Sequence, residues 1–270
     1  DNRGMVFFDE TGKEYRFEQP GLNIWRSKFD HWLVCQAVEH GALLQDKTCV
    51  LGCESVGSHW DILTTVGQRL RTRTVIICEG TAGRSRTKLP QTKKENIITY
   101  QTFNAGSIQL DPHYFYAFMP RAFSAYAAWF HVKDDNLIIG VAGCENSTLP
   151  EYHESFVRHL QANFKLSIQD TRKTEKWLMP VVLPGCPLDL GAGTMLCAGE
   201  AAGLLNPMGE GVSCGIQSGI LAGKAVFTHL HSGENPVDVY RDSIRPVHDY
   251  MKRQWNFAAQ ISSSFSHMTR

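Results

Sequence analysis

No run of apolar residues in this 270-residue chain approaches the ~18–20 needed for a helix to span a bilayer. There is no internal repeat, low-complexity tract or disordered tail. Charge of one sign is lacking as well: 27 Lys and Arg balance 27 Asp and Glu. A nucleic-acid partner would call for a basic excess, and an electrostatic membrane anchor for a polybasic patch. No G-x-S-x-G sets a serine on a strand-to-helix turn, and no H-E-x-x-H places two histidines on one helix face. His153 and His159 are six apart, which argues against zinc. No G-x-G-x-x-G occurs either; Gly191-Ala192-Gly193 is too short and precedes a strand instead of following one.

Cysteine is present but unpatterned. The eight residues Cys35, Cys49, Cys53, Cys78, Cys144, Cys186, Cys197 and Cys214 include one C-x-x-x-C and no second close pair that would complete a metal site. They predict reduced, mostly buried thiols in a cytoplasmic protein, with no metal. The chain opens on Asp1-Asn2-Arg3-Gly4 with neither a leader nor an initiator methionine, which suggests a trimmed chain.

The periodicities predict an α/β protein. Met5–Phe8 and Tyr15–Phe17 flank a turn at Thr11-Gly12, the pattern of a hairpin. Ser27-Lys28-Phe29-Asp30 has capping-box spacing before a helix that stops at Gly41. Thr74–Cys78 is a continuous apolar run, as in a buried parallel strand. Four β-like segments, Ile97–Phe103, Tyr114–Met119, Ala125–Lys133 and Leu137–Ala142, read as one antiparallel meander. A helix follows from Thr148 to about Phe164, with Pro150 in its first turn. Then come a small-residue strand (Thr194–Ala198), a glycine-rich loop, and helices over Cys214–Leu230 and from Val237 to about Ile261. The organisation is an α/β part, 1–96 and 144–270, interrupted by a sheet over 97–143.

The most specific stretch runs from Met195 to Val212. A buried strand ends in Gly199-Glu200-Ala201-Ala202, Pro207 follows, and Gly209-Glu210-Gly211 leads into a helix of small residues: Ser213, Gly215, Ser218, Gly219, Ala222, Gly223 and Ala225. Small side chains let a backbone approach a flat, bulky ligand closely. The free N–H groups and positive dipole at a helix start favour an electron-rich group, such as the N1 edge of a flavin.

This stretch resembles the second FAD motif of geranylgeranyl-reductase-like flavoproteins, approximately G-D-A-A-G-x-x-x-P-x-x-G-E-G-I. Glu200 stands where that pattern has Asp. A second segment, Ile76 to Arg86, resembles the family's strand followed by D-G-A-x-S-x-x-R: Gly80 and Arg86 fit, Glu79 replaces Asp, and Gly83 takes the place of Ser. Arg26, Phe29, Asp30, Leu33, Ala37 and Gly41 are similar to its R-x-x-F-D-x-x-L helix. Arg26 then approaches the cofactor, although a surface arginine is the plainer reading. Ala127, Trp129, His131, Val132 and Lys133 overlie the family's Y-x-W-x-F-P-K strand, of which Trp129 and Lys133 survive.

The resemblance implies a partial Rossmann-like FAD layer with an inserted antiparallel substrate sheet. The first GxGxxG unit is absent, either because it was removed from this chain or because the protein has abandoned FAD. The implied cofactor contacts are Gly199, Glu200, Ala201, Pro207, Gly209, Glu210, Gly211, Val212, Glu79, Gly80, Arg86 and Arg26. Trp129, His131 and Lys133 share one strand face and would touch a hydrophobic substrate, with His131 and Tyr126 as candidate proton donors. The implied reaction is reduction of a carbon–carbon double bond by hydride from flavin N5, with NAD(P)H as a candidate electron source. Flavin-dependent monooxygenation is the alternative, and a non-enzymatic binding protein is the alternative of another class. The final helix, with Tyr250, Trp255 and Phe257, could cap the cavity, meet a membrane surface or bury a contact with a second copy.

Overall fold

The computed structural model describes residues 1–80, 83, 85, 96–180, 188–207 and 209–261. In chain order its elements are β1 Asn2–Phe8, β2 Glu14–Gly21, α1 Arg26–Glu39, β3 Val50–Val56, β4 His59–Thr64, β5 Arg69–Thr72 and β6 Val75–Ile77. There follow β7 Asn96–Ser107, β8 Tyr114–Phe118, β9 Ala128–Lys133, β10 Asn136–Gly143, α2 Leu149–Phe164 and β11 Ser167–Pro180. The last are β12 Gly191–Ala192, β13 Met195–Cys197, a 3-10 turn Gly199–Ala202, α3 Val212–Ser232 and α4 Pro236–Ile261. They form two compact units: Asp1–Lys47 with Ile98–Trp177, and Thr48–Ile97 with Leu178–Arg270.

The first unit is built on a seven-stranded sheet, β11-β7-β10-β9-β8-β1-β2. The opening hairpin turns where Asp9 Oδ1 accepts the N–H groups of Thr11 (2.8 Å) and Lys13 (3.0 Å). The expected meander over 97–143 takes a different path. β7 pairs with β10 instead of β8, and β8 lies parallel to β1, so the sheet is mixed. Its edge is completed by β11, which carries no strand signal at the sequence level. The reason is burial from both sides of the chain: β8 has five residues, four of them buried, and needs a partner on each edge.

One face of this sheet packs on α2. Phe118, Ala128, Phe130, Ile139 and Val141 meet Leu149, Phe156 and Leu160 in one core, with the Phe118 and Phe156 rings edge-to-face at 4.9 Å. α2 ends at Lys165 in the left-handed conformation (φ 52°). Helix α1 begins at Arg26, not after a Ser27 cap. The Trp25 carbonyl accepts the N–H groups of Lys28 (3.0 Å) and Phe29 (2.9 Å), and no side chain caps it. Asp30 cannot complete a capping box because the Arg26 guanidinium holds it, at 2.9 and 3.0 Å.

The second unit has two small sheets. β3-β4-β5 is antiparallel; in the other, β6 and β13 run parallel, with β12 antiparallel on the far side of β13. Met195, Leu196 and Cys197 are fully buried, covered by Cys214, Ala222 and Ala225 of α3 and by Tyr240, Ile244, Val247 and Met251 of α4. Among the seven described cysteines, all free, Cys53, Cys197 and Cys214 are buried and Cys35 is half-buried. Cys49, Cys78 and Cys144 are exposed, so the expectation of mostly buried thiols is corrected: these three stand just outside the ends of β3, β6 and β10. Cys186 lies outside the described residues. Among the described residues no helix is long and apolar enough to cross a membrane.

On the face of the large sheet opposite α2, Trp129 lies flat across its cross-strand neighbour Gly140. A Cβ added there would fall 2.1 Å from the indole Cε2. Gly140→Ala should therefore destabilise the protein by about 1–3 kcal/mol through overpacking, read as a lowered urea midpoint at unchanged m.

Candidate functional site

The β6–β13 register pairs Ile77 with Cys197, and the Ala198 N–H donates to the Ile77 carbonyl at 3.0 Å. Both parallel strands therefore stop at the same level. Glu79-Gly80 and Gly199-Glu200 turn away side by side at their carboxyl ends, the usual place for a ligand crevice in parallel α/β structure. Gly80 (φ +67°) and Gly199 (φ +60°) both take left-handed backbone. A Cβ on Gly80 would stand 3.8 Å from Glu200 Oε1, and one on Gly199 would stand 3.4 Å from the Cα of Gly215 in α3. The sequence reading placed these segments in two separate motifs; the sheet brings them together.

Gly199 is fixed from behind. Its N–H donates to Ser218 Oγ at 2.8 Å, and that hydroxyl donates to the Gly215 carbonyl at 3.0 Å. Downstream, Asn206 organises the approach to α3: its Oδ1 accepts the Glu210 N–H at 2.8 Å, and its own N–H donates to the Glu210 carbonyl at 3.0 Å. Glu210 Oε1 then accepts the Ser213 N–H at 2.9 Å, satisfying one of the free donors at the helix start. Gly211 is the N-cap, and Val212 is the first helical residue. Gly209 is also left-handed (φ +76°), and a Cβ there would meet Met179 Sδ at 2.9 Å. Beyond the cap, Gly215, Gly219 and Gly223 form a stripe above which no described atom lies within 4 Å of an added Cβ.

Not every candidate faces this crevice. Ala201 is 3% exposed and packs in the core of the second unit, and Pro207 is buried. Glu79 is turned within its own loop, where Oε2 accepts both the Ser85 hydroxyl (2.6 Å) and the Ser85 N–H (3.1 Å). Arg26 lies in the other unit, exposed and forked onto Asp30. Arg86 falls outside the described residues. On α4, Trp255 is buried and donates to the Leu205 carbonyl at 2.9 Å, while Tyr250 and Phe257 are exposed.

The first unit holds the apolar face. Strand alternation sends Ala128 and Phe130 towards α2 and leaves Trp129 and His131 on the opposite side, half-buried. The His131 ring stacks on Phe115, with centroids 5.3 Å apart, and its Nδ1 is buried without a hydrogen-bond partner among the described residues. Burial, reinforced by the nearby Lys133 ammonium, pushes the imidazole down to about 3, so it is neutral at physiological pH. Lys133 is otherwise engaged. Its Nζ donates to the Ile24 carbonyl at 2.8 Å and sits over the Trp25 ring at 4.8 Å. It clamps the segment before α1 to the sheet, beside Trp25 Nε1 donating to Asp134 (2.7 Å). Tyr126 is 4% exposed, and burial pushes its phenol well above the usual range.

Sequence reading gave no role to Ser218, Asn206, Ser85, Phe115 and Gly140. Only Ser218 carried a signal, as the one hydroxyl set among small apolar residues in the middle of α3. The other four act through neighbours distant in sequence or through a folded loop. Among the described residues no group of three or more His, Cys, Asp and Glu is placed to hold a metal ion.

No protein-family profile matches the chain. It is 25% identical over 244 residues to the digeranylgeranylglycerophospholipid reductase of Methanocaldococcus jannaschii, covering 83% of this chain and 61% of that protein. It is 28% identical over 248 residues to digeranylgeranylglycerophospholipid reductase 1 of Methanopyrus kandleri, covering 83% and 62%. The chain thus spans about three-fifths of the length of these curated relatives. Among solved structures, a geranylgeranyl bacteriochlorophyll reductase-like protein from Thermoplasma acidophilum superposes with a TM-score of 0.77 at 17% identity, over 96% of this chain and 70% of that one. The myxobacterial chondrochloren halogenase, a variant of FAD-dependent halogenases, gives 0.73 at 14% identity, over 100% and 70%. The chain shares its fold with these two proteins, and the likeness to geranylgeranyl-reductase-like proteins that the motifs carry extends along most of the chain.

Two outcomes follow from the geometry. Ser218→Ala removes the acceptor of the Gly199 N–H and should cost about 1–3 kcal/mol of stability, read by urea unfolding. The folded-state value of His131, about 3, lies below the unfolded value of ~6.5, so its contribution to stability is full above that value and lost as pH falls through the interval. His131→Phe should make stability fall less steeply between about pH 6.5 and 4 than in the parent. His153, His159 and His248, also held low by burial, remain in both proteins and set the common background.

Proposed function

We propose that this protein is an FAD-dependent oxidoreductase that reduces a carbon–carbon double bond in a lipid-like substrate. The observation that carries the reading is the pair of left-handed turns at the common end of β6 and β13, set against the open, small-residue start of α3. Those residues fit a flavin. Gly80 and Gly199 leave backbone without side chains where a bulky group must come close. Glu200 offers a carboxylate to hydroxyls, as the aspartate of the family motif does. The α3 start offers N–H donors and a positive dipole end to an electron-rich ring edge. Bound there, FAD would supply the hydride, with NAD(P)H as its electron source.

The sheet of the first unit carries the residues proposed for the substrate. Trp129, flat on Gly140, and Phe115 give an apolar wall suited to an isoprenoid-like chain, matching the relatives whose names specify a geranylgeranyl group. His131 stands in that wall as a neutral imidazole. It orients a substrate by a hydrogen bond and stays uncharged while it does so. Tyr126 is held protonated and enclosed. The oxygenase reading draws on the halogenases and on a peptidyl tryptophan dihydroxylase that share the fold, without residue-level support.

Purified with whatever chain accompanies these residues in the native polypeptide, the protein should be yellow and release FAD on denaturation. After reduction, its flavin should be reoxidised anaerobically by a lipid containing geranylgeranyl double bonds. A colourless protein that ignores added FAD would overturn the assignment, and reoxidation by oxygen alone, with incorporation into the lipid, would favour the oxygenase. Gly199→Val should abolish flavin binding, because it forces a branched side chain into left-handed backbone against Gly215.

A further inference from the structure

Of the three places where this chain departs from the D-G-A-x-S-x-x-R pattern, Glu79, Thr81 and Gly83, the first and the last are in contact. Glu79 is longer by one methylene; Gly83 lacks the side chain that the serine would bring. A Cβ built on Gly83 would lie 2.6 Å from both the Cβ and Oε2 of Glu79, closer than two such atoms approach. The space the glycine leaves is the space the longer acid fills. Through it, Oε2 reaches Ser85, accepting the hydroxyl at 2.6 Å and the backbone N–H at 3.1 Å.

We propose that Glu79 and Gly83 are a coupled positioning pair: the carboxylate crosses the gap left by the glycine, latches onto Ser85, and thereby sets the Gly80 turn for cofactor binding without itself touching the cofactor. The proposal rests on the flavin reading above. An aspartate at 79 would withdraw the carboxylate by about 1.5 Å, one carbon–carbon bond, and lose Ser85. A serine at 83 would collide with the glutamate, but with aspartate it fits the vacated space and presents a hydroxyl to the shorter acid. Either pairing is self-consistent, and either single exchange breaks it. Because Gly80 follows Glu79 directly and stands in left-handed backbone (φ +67°), the fixed carboxylate restrains the peptide that enters the turn.

The brace has a built-in reporter. Cys53 of β3 is 8% exposed and lies beside Glu79 and Ser85. Burial first, then the Glu79 charge, pushes its thiol up, while a hydrogen bond with Ser85 works the other way. Loosening the latch should open this thiol to reagents.

The test uses the native polypeptide with Glu79→Asp, Gly83→Ser, the double variant, and Ser85→Ala as a milder break. FAD affinity is read by flavin fluorescence, and alkylation of Cys53 by peptide-level mass spectrometry, which separates it from the exposed cysteines. Each single exchange at 79 or 83 should weaken FAD binding and speed Cys53 alkylation by about tenfold, and the double should return both to within about threefold of the parent, as for residues in direct contact. Ser85→Ala, which keeps the backbone N–H bond to Glu79, should move both readouts in the same direction as Glu79→Asp and by less. Effects that multiply in the double variant, or a Gly83→Ser protein indistinguishable from the parent, would overturn the pairing. If the parent binds no FAD, the flavin reading fails by itself, and the alkylation rates still decide whether the pair is coupled.

Discussion

Two short parallel strands that end at one level impose the arrangement of the second unit. β6 contributes three residues and β13 three, yet their register puts Glu79-Gly80 beside Gly199-Glu200. Parallel pairing makes this possible, since both strands deliver their carboxyl ends to the same edge, where carbonyl groups and turns gather. α3 must then start at that edge, with Ser218 holding the Gly199 peptide and Cys214, Ala222 and Ala225 turned into the core. The crevice is thus a property of strand register more than of any one loop residue.

Both aspartates of the flavin-associated patterns are glutamates here, and the structure treats the two differently. Glu200 stands at the crevice, its carboxylate opposite Gly80. Glu79 is folded back on Ser85. The same one-methylene extension brings one carboxylate opposite the neighbouring turn and makes the other an internal strut. The difference lies in what each turn leaves empty: a glycine four residues on makes room for the strut.

In the first unit, alternation along β9 decides which side chains share a wall. It was readable from the sequence that Trp129, His131 and Lys133 lie on one face and Ala128 and Phe130 on the other, because a strand has a period of two whatever its neighbours. That Lys133 would be spent on the Ile24 carbonyl and the Trp25 ring was not readable, since those partners are over a hundred residues away. Nor was the order of the sheet. The segments of a meander look the same whether β7 pairs with β8 or with β10, and only the burial of β8 between β9 and β1 distinguishes them.

The amino-acid sequence alone determined the two glycine turns that follow β6 and β13, the small-residue helix after them, the opening hairpin, and the apolar strands that alternate or stay continuous according to how many faces they bury. These are local matters of backbone freedom and hydrophobic period, settled within a dozen residues. Tertiary structure decided which turns meet, that a neutral imidazole stacks on Phe115, that Trp129 needs Gly140 beneath it, and that Glu79 and Gly83 share one space. Each of those depends on atoms brought within a few ångströms by strand register and packing, and distance along the chain carries no record of it.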